Sequence, residues 1–120
     1  MEIELIEDIF ALSDQIRYVA VYRHERLQSR SRAGRQGASG SESDRYEELL
    51  VNPTLLTLAT QRGNIDCGGL EYLLVRYGNF YQFVLPAAHG HVSVCIEKEA
   101  DPVKIGLKIV KLVEKTTAET

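Results

Sequence analysis

The chain has 120 residues, 44% of them apolar, with 17 acids against 14 bases for a net charge of −3. A chain of this length folds as one domain and buries roughly two-thirds of its unfolded surface. That excludes a large multi-domain enzyme, the apolar content excludes wholesale disorder, and the mild acidity supplies no general field for nucleic acid.

The first residues, Met1 to Leu5, lack the basic start and unbroken apolar run of a signal peptide. No apolar stretch approaches the ~18–20 residues that span a bilayer. A soluble cytoplasmic protein with no membrane attachment is therefore expected. Over residues 3–12, Ile3, Ile6 and Phe10 share one helical spacing, with Leu5, Ile9 and Leu12 beside them and Glu4, Glu7 and Asp8 on the rest of the circle. This predicts a short amphipathic helix with acids at its favourable end.

From Ile16 to Arg23 the period changes to two, and both faces are apolar: Tyr18, Ala20 and Tyr22 on one, Val19 and Val21 on the other. Such a strand belongs in the interior of a sheet. Leu27 to Arg32 alternates as well but is polar, which suits an edge. His24-Glu25-Arg26 would turn the hairpin without any of the usual Gly or Asn residues. Residues 33–43 carry no large apolar side chain and read as a mobile loop.

Ser43-Asp44 can cap a helix with Tyr46, Leu49 and Leu50. Asn52-Pro53 interrupts it, and the same pair can restart it with Asn52 as the cap. Leu55, Leu56, Leu58 and Ala59 follow, and Gly63-Asn64 supplies a stop. Residues 44–63 thus predict a kinked or two-piece helix whose apolar residues cover more of its circumference than one core contact needs. Strands at 70–77, 80–85 and 91–97 come next, joined by Gly78-Asn79, read as a type II′ turn, and by Pro86 to Gly90. Asp101-Pro102 opens a last helix by cap-plus-proline logic, with Val103, Ile105, Ile109, Val110, Leu112 and Val113 as its buried side. The tail 116–120 reads as frayed.

Hairpin connections make the five-stranded sheet antiparallel, and strands apolar on both faces need helices on both. The predicted fold is α+β: a three-layer α/β/α sandwich, one helix on one face and two on the other, in a single domain over 1–120.

Few residues point to chemistry. His89 and His91 project to one face of an extended segment, but nothing nearby completes a metal site, so they read as a solvated hairpin tip. Cys67 and Cys95 have neither metal nor disulfide spacing and read as buried free thiols. No Gly-x-Ser-x-Gly elbow is present, and Gly68-Gly69 precedes a strand, which suits a tight connection and not a phosphate loop. No catalytic, cofactor or metal residue is assigned. Lys104, Lys108, Lys111 and Lys115 form one solvated stripe of the last helix.

Charge is unevenly placed. Residues 1–16 hold five acids and no base, while residues 17–35 hold six arginines against Glu25 alone. Arg23, Arg26, Arg30 and Arg32 could dock an acidic partner surface; alternatively the arginines guard the sheet edge and lie over the acidic first helix. An apolar strand at 70–77, charged only at Glu71 and Arg76, would be an unguarded opposite edge that should pair with something.

The order of elements resembles the roadblock/LC7 family, dynein-light-chain-like relatives of the profilin fold. The resemblance covers residues 3–115. It rests on the helix ending Gly63-Asn64-Ile65, the run from Gly69 through Leu70-Glu71-Tyr72-Leu73-Leu74-Val75-Arg76 to Tyr77-Gly78, the meander through His91-Val92-Ser93-Val94, and the closing helix. It implies strand order 2-1-5-4-3, homodimerisation through the second helix and third strand, and a non-catalytic scaffold or regulator of small Ras-like GTPases. The expected interface centres on Leu55, Leu56, Leu58 and Ala59 with Tyr72, Leu74 and Arg76. Two features depart from the family pattern: the first hairpin lacks its frequent Asp-Gly turn, and Asn52-Pro53 breaks the second helix. A small-molecule sensor of PAS or GAF type is the alternative, with Tyr18, Tyr22, Phe80 and Phe83 lining a hollow.

Overall fold

The computed structural model describes residues 2–34 and 41–118. The centre of the predicted loop and the last two residues lie outside that set, as does Arg35. In chain order the elements are α1 (Glu2–Phe10), β1 (Ile16–Arg23), β2 (Arg26–Ser31), α2 (Ser41–Tyr46), a π-helical segment (Glu47–Val51), α3 (Asn52–Asp66), β3 (Leu73–Arg76), β4 (Phe80–Ala87), β5 (Gly90–Glu97) and α4 (Pro102–Ala118). Helix already begins at Ser41, so the predicted loop ends earlier than 43. At the other end α4 continues through Ala118, into the tail read as frayed.

One five-stranded antiparallel sheet has the order β2-β1-β5-β4-β3. The interior place of β1 and the polar β2 edge are as the patterning required, and the opposite β3 edge is as the resemblance implied. β3 is shorter than expected, four residues in place of eight.

The sheet has two unlike faces. Val19, Val21, Phe83, Leu85, Val92, Val94 and Ile96 pack against Leu5, Ile6 and Ile9 of α1 and Ile105, Ile109 and Val113 of α4 in one apolar core. Gly106 lets α4 sit directly on the fully buried Phe83; a Cβ there would lie 2.5 Å from Phe83 Cε2. Two residues assigned to these apolar stripes lie outside the core: Ile3 and Val103 are exposed. The opposite face carries Tyr18, Ala20, Phe80 and Cys95 in a small second cluster, and the helical run from Ser41 to Asp66 covers it.

That run corrects the expected break. Asn52 does not cap a new helix: Tyr46, Val51 and Asn52 all hold right-handed helical dihedrals, and Val51 stands at the cap position with no side-chain cap bond. Pro53 is instead accommodated by the π-helical segment, where the Asn52 N–H reaches back five residues to the Glu47 carbonyl. A wider turn keeps the chain helical where proline has no donor and would crowd the preceding turn. Thr54 Oγ1 donates to the Leu50 carbonyl (2.7 Å) and Thr57 Oγ1 to that of Pro53 (2.8 Å). Gly63 does not end the helix either. It lies buried where the chain returns over it, since a Cβ would meet Gly69 C at 3.1 Å, and Gly68 and Gly69 hold φ of +84° and +90° in the tight connection.

The turns differ from expectation in an instructive way. His24 and Glu25 take φ of +52° and +65°, the sign a two-residue type I′ hairpin demands, although neither is a residue that adopts it cheaply. Neither Gly78 nor Asn79 has a positive φ, so that reversal is not type II′.

Candidate interaction surface and its buried support

Two features left over from the packing define the candidate site: an apolar row on the long helix and the free edge beside it. Of the nine large hydrophobic side chains exposed among the described residues, five (Tyr46, Leu49, Leu50, Leu58 and Ile65) lie on this run. Leu58 is 61% and Ile65 75% exposed. They face outward because the inner side of α3 is set by Asn52, Leu56 and Gly63, all buried.

The residues expected at the interface separate into groups. Leu58 is exposed, Leu55 and Ala59 are half-buried, and Leu56 is buried. Leu74 of β3, and Tyr72 just before it, turn toward the other face and pack on its apolar core, with the Tyr72 ring 4.8 Å from that of Phe83. Arg76 lies over the Tyr81 ring at 4.9 Å. Side chains of α3 and of Tyr72, Leu74 and Arg76 therefore do not form one patch. What β3 offers beside α3 is Leu73 and Val75, half-buried, together with its backbone. Tyr77 N–H donates to the Phe80 carbonyl (2.9 Å), so by antiparallel alternation the amides of Leu74 and Arg76 point away from β4 toward the open edge.

Beneath the helix lies a polar network that sequence patterning missed. His91 is not at a solvated tip: it is 1% exposed, and its Nε2 lies 2.8 Å from Oε1 of Glu48, itself 0% exposed. Only His89 stays at the tip, stacked on His24 at 4.4 Å. Asn52 Nδ2 donates to Glu48 Oε1 (3.0 Å) and to Ser93 Oγ (3.4 Å), Gln82 Nε2 donates to Ser93 Oγ, and Cys95 Sγ donates to Gln82 Oε1 (3.1 Å). Glu48 Oε2 and Asn52 Oδ1 are buried without a hydrogen-bond partner. The available signal was the polar set His91, Ser93, Cys95 at every second position of β5 opposite a Glu-x-x-x-Asn helix pair. Burial, with the carboxylates of Glu48, Asp44 and Glu47 nearby, pushes the Cys95 thiol well up. Burial chiefly, and Glu48 next, raises the Tyr18 phenol. At the rim, Tyr77 Oη donates to Glu47 Oε1 (3.0 Å). Burial, and then that bond, push Tyr77 up to about 12, while burial raises the Glu47 carboxyl.

The arginines mostly have internal work. Arg32 Nε donates to the Ile16 carbonyl (2.7 Å) and Nη2 to those of Phe10 (3.0 Å) and Ser13 (2.9 Å), closing the C-terminal end of α1. Arg30 lies 3.9 Å from Glu7 and Arg23 3.7 Å from Glu2, and Arg17 pairs with Glu97 at 2.8 Å. Of the four proposed for docking, Arg32 is committed to α1, Arg23 and Arg30 sit against its acids, and Arg26 is exposed. Cys67 is exposed too, not buried as its surroundings suggested, whereas Cys95 is buried. The aromatics of the sensor alternative fall on opposite faces, Phe83 in the large core and Tyr18 and Phe80 in the small one, so they cannot line one hollow. Among the described residues no cluster of three or more His, Cys, Asp or Glu is placed to hold a metal, and no helix is long and apolar enough to cross a membrane.

No family model matches the chain, and no curated protein matches it in sequence. Solved structures do match. A roadblock/LC7 domain from Streptomyces avermitilis superposes with a TM-score of 0.72 at 14% identity, covering 97% of this chain and 94% of that one. The chain has the roadblock/LC7 fold. The gliding protein MglB from Thermus thermophilus matches with a TM-score of 0.66 at 12% identity over 98% of this chain and 89% of its own. A second MglB structure, described as having a tetrameric arrangement, matches at 0.66 and 9% identity over 94% and 88%. Superposition at identities this low shows the fold alone, and in this chain that fold has β3 at the sheet edge.

Proposed function

We propose that the chain is a non-catalytic scaffold or regulator that works as a homodimer, joined through the long helix and the β3 edge. The observation that carries this reading is the exposed apolar row of Tyr46, Leu49, Leu50, Leu58 and Ile65 beside an edge strand. Exposed apolar surface and an open edge each seek a partner, and a second copy satisfies both at once by two-fold symmetry. The tetrameric arrangement described for one structural neighbour, MglB, is in keeping with self-association on this fold. Within this reading the partner of the dimer is a small Ras-like GTPase, as the family resemblance implies, met in the cytoplasm.

The test is hydrogen exchange at the Leu74 and Arg76 amides as the protein is diluted. Protection that falls with dilution, and is lost in a Leu58→Glu variant, supports the dimer; protection independent of concentration overturns it. For the GTPase, saturable binding of a purified Ras-like GTPase to wild type but not to Leu58→Glu supports the assignment, and equal binding to both removes the dimer from it.

A further inference from the structure

The long helix rests on the sheet through a contact between two ionisable groups. Glu48 and His91 are both fully buried, and they come from different elements, one from the π-helical segment and one from β5. With one proton shared between them, as imidazolium with carboxylate or as imidazole with carboxylic acid, such a pair is net neutral. Gaining a further proton leaves a net positive charge in the interior, and losing the shared one leaves a net negative charge. Either is expensive in a buried site, so the coupled pair behaves as a unit with a window.

The surroundings are rich in acidic groups, which weigh most against the negative state. Glu48 Oε2 already lacks a partner. From the helix side Asp44 and Glu47 add carboxylates, and Glu47 is bonded to Tyr77 beyond β3. From β1 come Tyr18 and Tyr22, the latter stacked on His91 at 5.6 Å. From β5 comes the Cys95 thiol, with the Arg17–Glu97 pair further along, and His24 and His89 stand at the neighbouring hairpin tips. The network comes near the surface at Gln82, which also forms part of the wall of a groove of about 320 Å³ with Asp44, Glu47 and Tyr77. The helix is locally weak at the same place: the π-helical turn and Pro53 remove regular backbone bonds where Glu48 and Asn52 meet the sheet.

We propose that the buried Glu48–His91 pair is a proton-sensitive latch that seats residues 47–56 of the long helix on the sheet and releases them on either side of a neutral window. The latch requires nothing of the dimer reading; its consequence, that the apolar row is presented in fixed form only while the latch is closed, rests on that reading. The test is native-state hydrogen exchange across 47–56, expressed as protection factors so that the intrinsic effect of pH is removed. It is run on Leu58→Glu, so that loss of the dimer cannot imitate release of the latch. The expected result is protection that passes through a maximum with pH and falls about tenfold or more on each side of it, while β1 amides stay protected. A Glu48→Gln/His91→Gln variant, hydrogen-bonded but unable to change charge, should lose the dependence. Protection unaffected by pH, or an unchanged profile in the double variant, overturns the proposal. Should the double variant not fold, the His91 ring nitrogen shifts in Leu58→Glu decide: they must change together with the protection of 47–56, and shifts that stay constant through its loss overturn the latch equally.

Discussion

Replacing Arg32 by Met separates the two meanings of the arginine-rich segment. The substitution keeps the apolar stem and removes the donors that serve the carbonyls of Phe10, Ser13 and Ile16 at 3.0, 2.9 and 2.7 Å. Hydrogen bonds from a charged donor contribute about 1.5–3 kcal/mol each, but this side chain is half-buried, so water replaces part of the loss. The guanidinium also lies 5.0 Å from the Phe10 ring centroid, a contact worth about 0.5–1 kcal/mol. A total near 2–4 kcal/mol is expected, which for a chain of this size lowers the melting temperature by roughly 8–16 °C. Arg26→Gln is the control, since Arg26 is exposed and should change stability by no more than about 0.5 kcal/mol. Both variants are to be melted by circular dichroism under identical conditions. If Arg32→Met melts with Arg26→Gln, within about 2 °C of wild type, Arg32 does not hold α1 and the internal assignment of the arginines is wrong.

Three further outcomes are expected. Gly106→Ala should destabilise by about 1–3 kcal/mol in urea titrations even though alanine is the better helix former, because the new methyl meets Phe83 at 2.5–3.0 Å; a gain in stability would contradict the packing. Glu25→Gly should raise the urea midpoint by about 0.5–1 kcal/mol equivalent, through relief of the left-handed backbone at φ +65°. A thiol reagent should modify Cys67 in the native protein and reach Cys95 only after denaturation, because one is exposed and the other buried with its thiol pushed up, so that little nucleophilic thiolate forms.

What patterning revealed follows burial. β1 and β4 showed themselves because apolar residues occupy both faces, β5 because Val92, Val94 and Ile96 recur at every second position, and the order 2-1-5-4-3 came with the resemblance those elements support. Asp101 shows why caps are legible: the bond from Lys104 N–H to its carboxylate (3.1 Å) is local in sequence. The second helix was misjudged because Asn52-Pro53 carries the signature of a cap, while the alternative, a π-helical turn, depends on what lies beneath it. Asn52 is drawn inward by Glu48 and Ser93, the latter 41 residues away. The same non-local cause hid the Glu48–His91 pair, whose members are separated by 43 residues. Histidine at a hairpin and glutamate on a charged helix both look solvated until the sheet brings them together. Likewise Tyr72 and Leu74 looked like edge residues open to a partner, but the register sets Leu74 opposite Phe83, and Tyr72 packs on the same ring.

Light scattering coupled to size-exclusion chromatography tests the central claim most directly. The chain has a mass of 13.5 kDa, so wild type should elute at twice that value at micromolar concentration. Leu58→Glu should elute at the single-chain mass and still unfold cooperatively, since Leu58 is exposed in the single chain and its replacement disturbs no core, with its melting temperature lowered only by the stability that association gives the wild type. Wild-type protein at 13.5 kDa under these conditions would contradict the account.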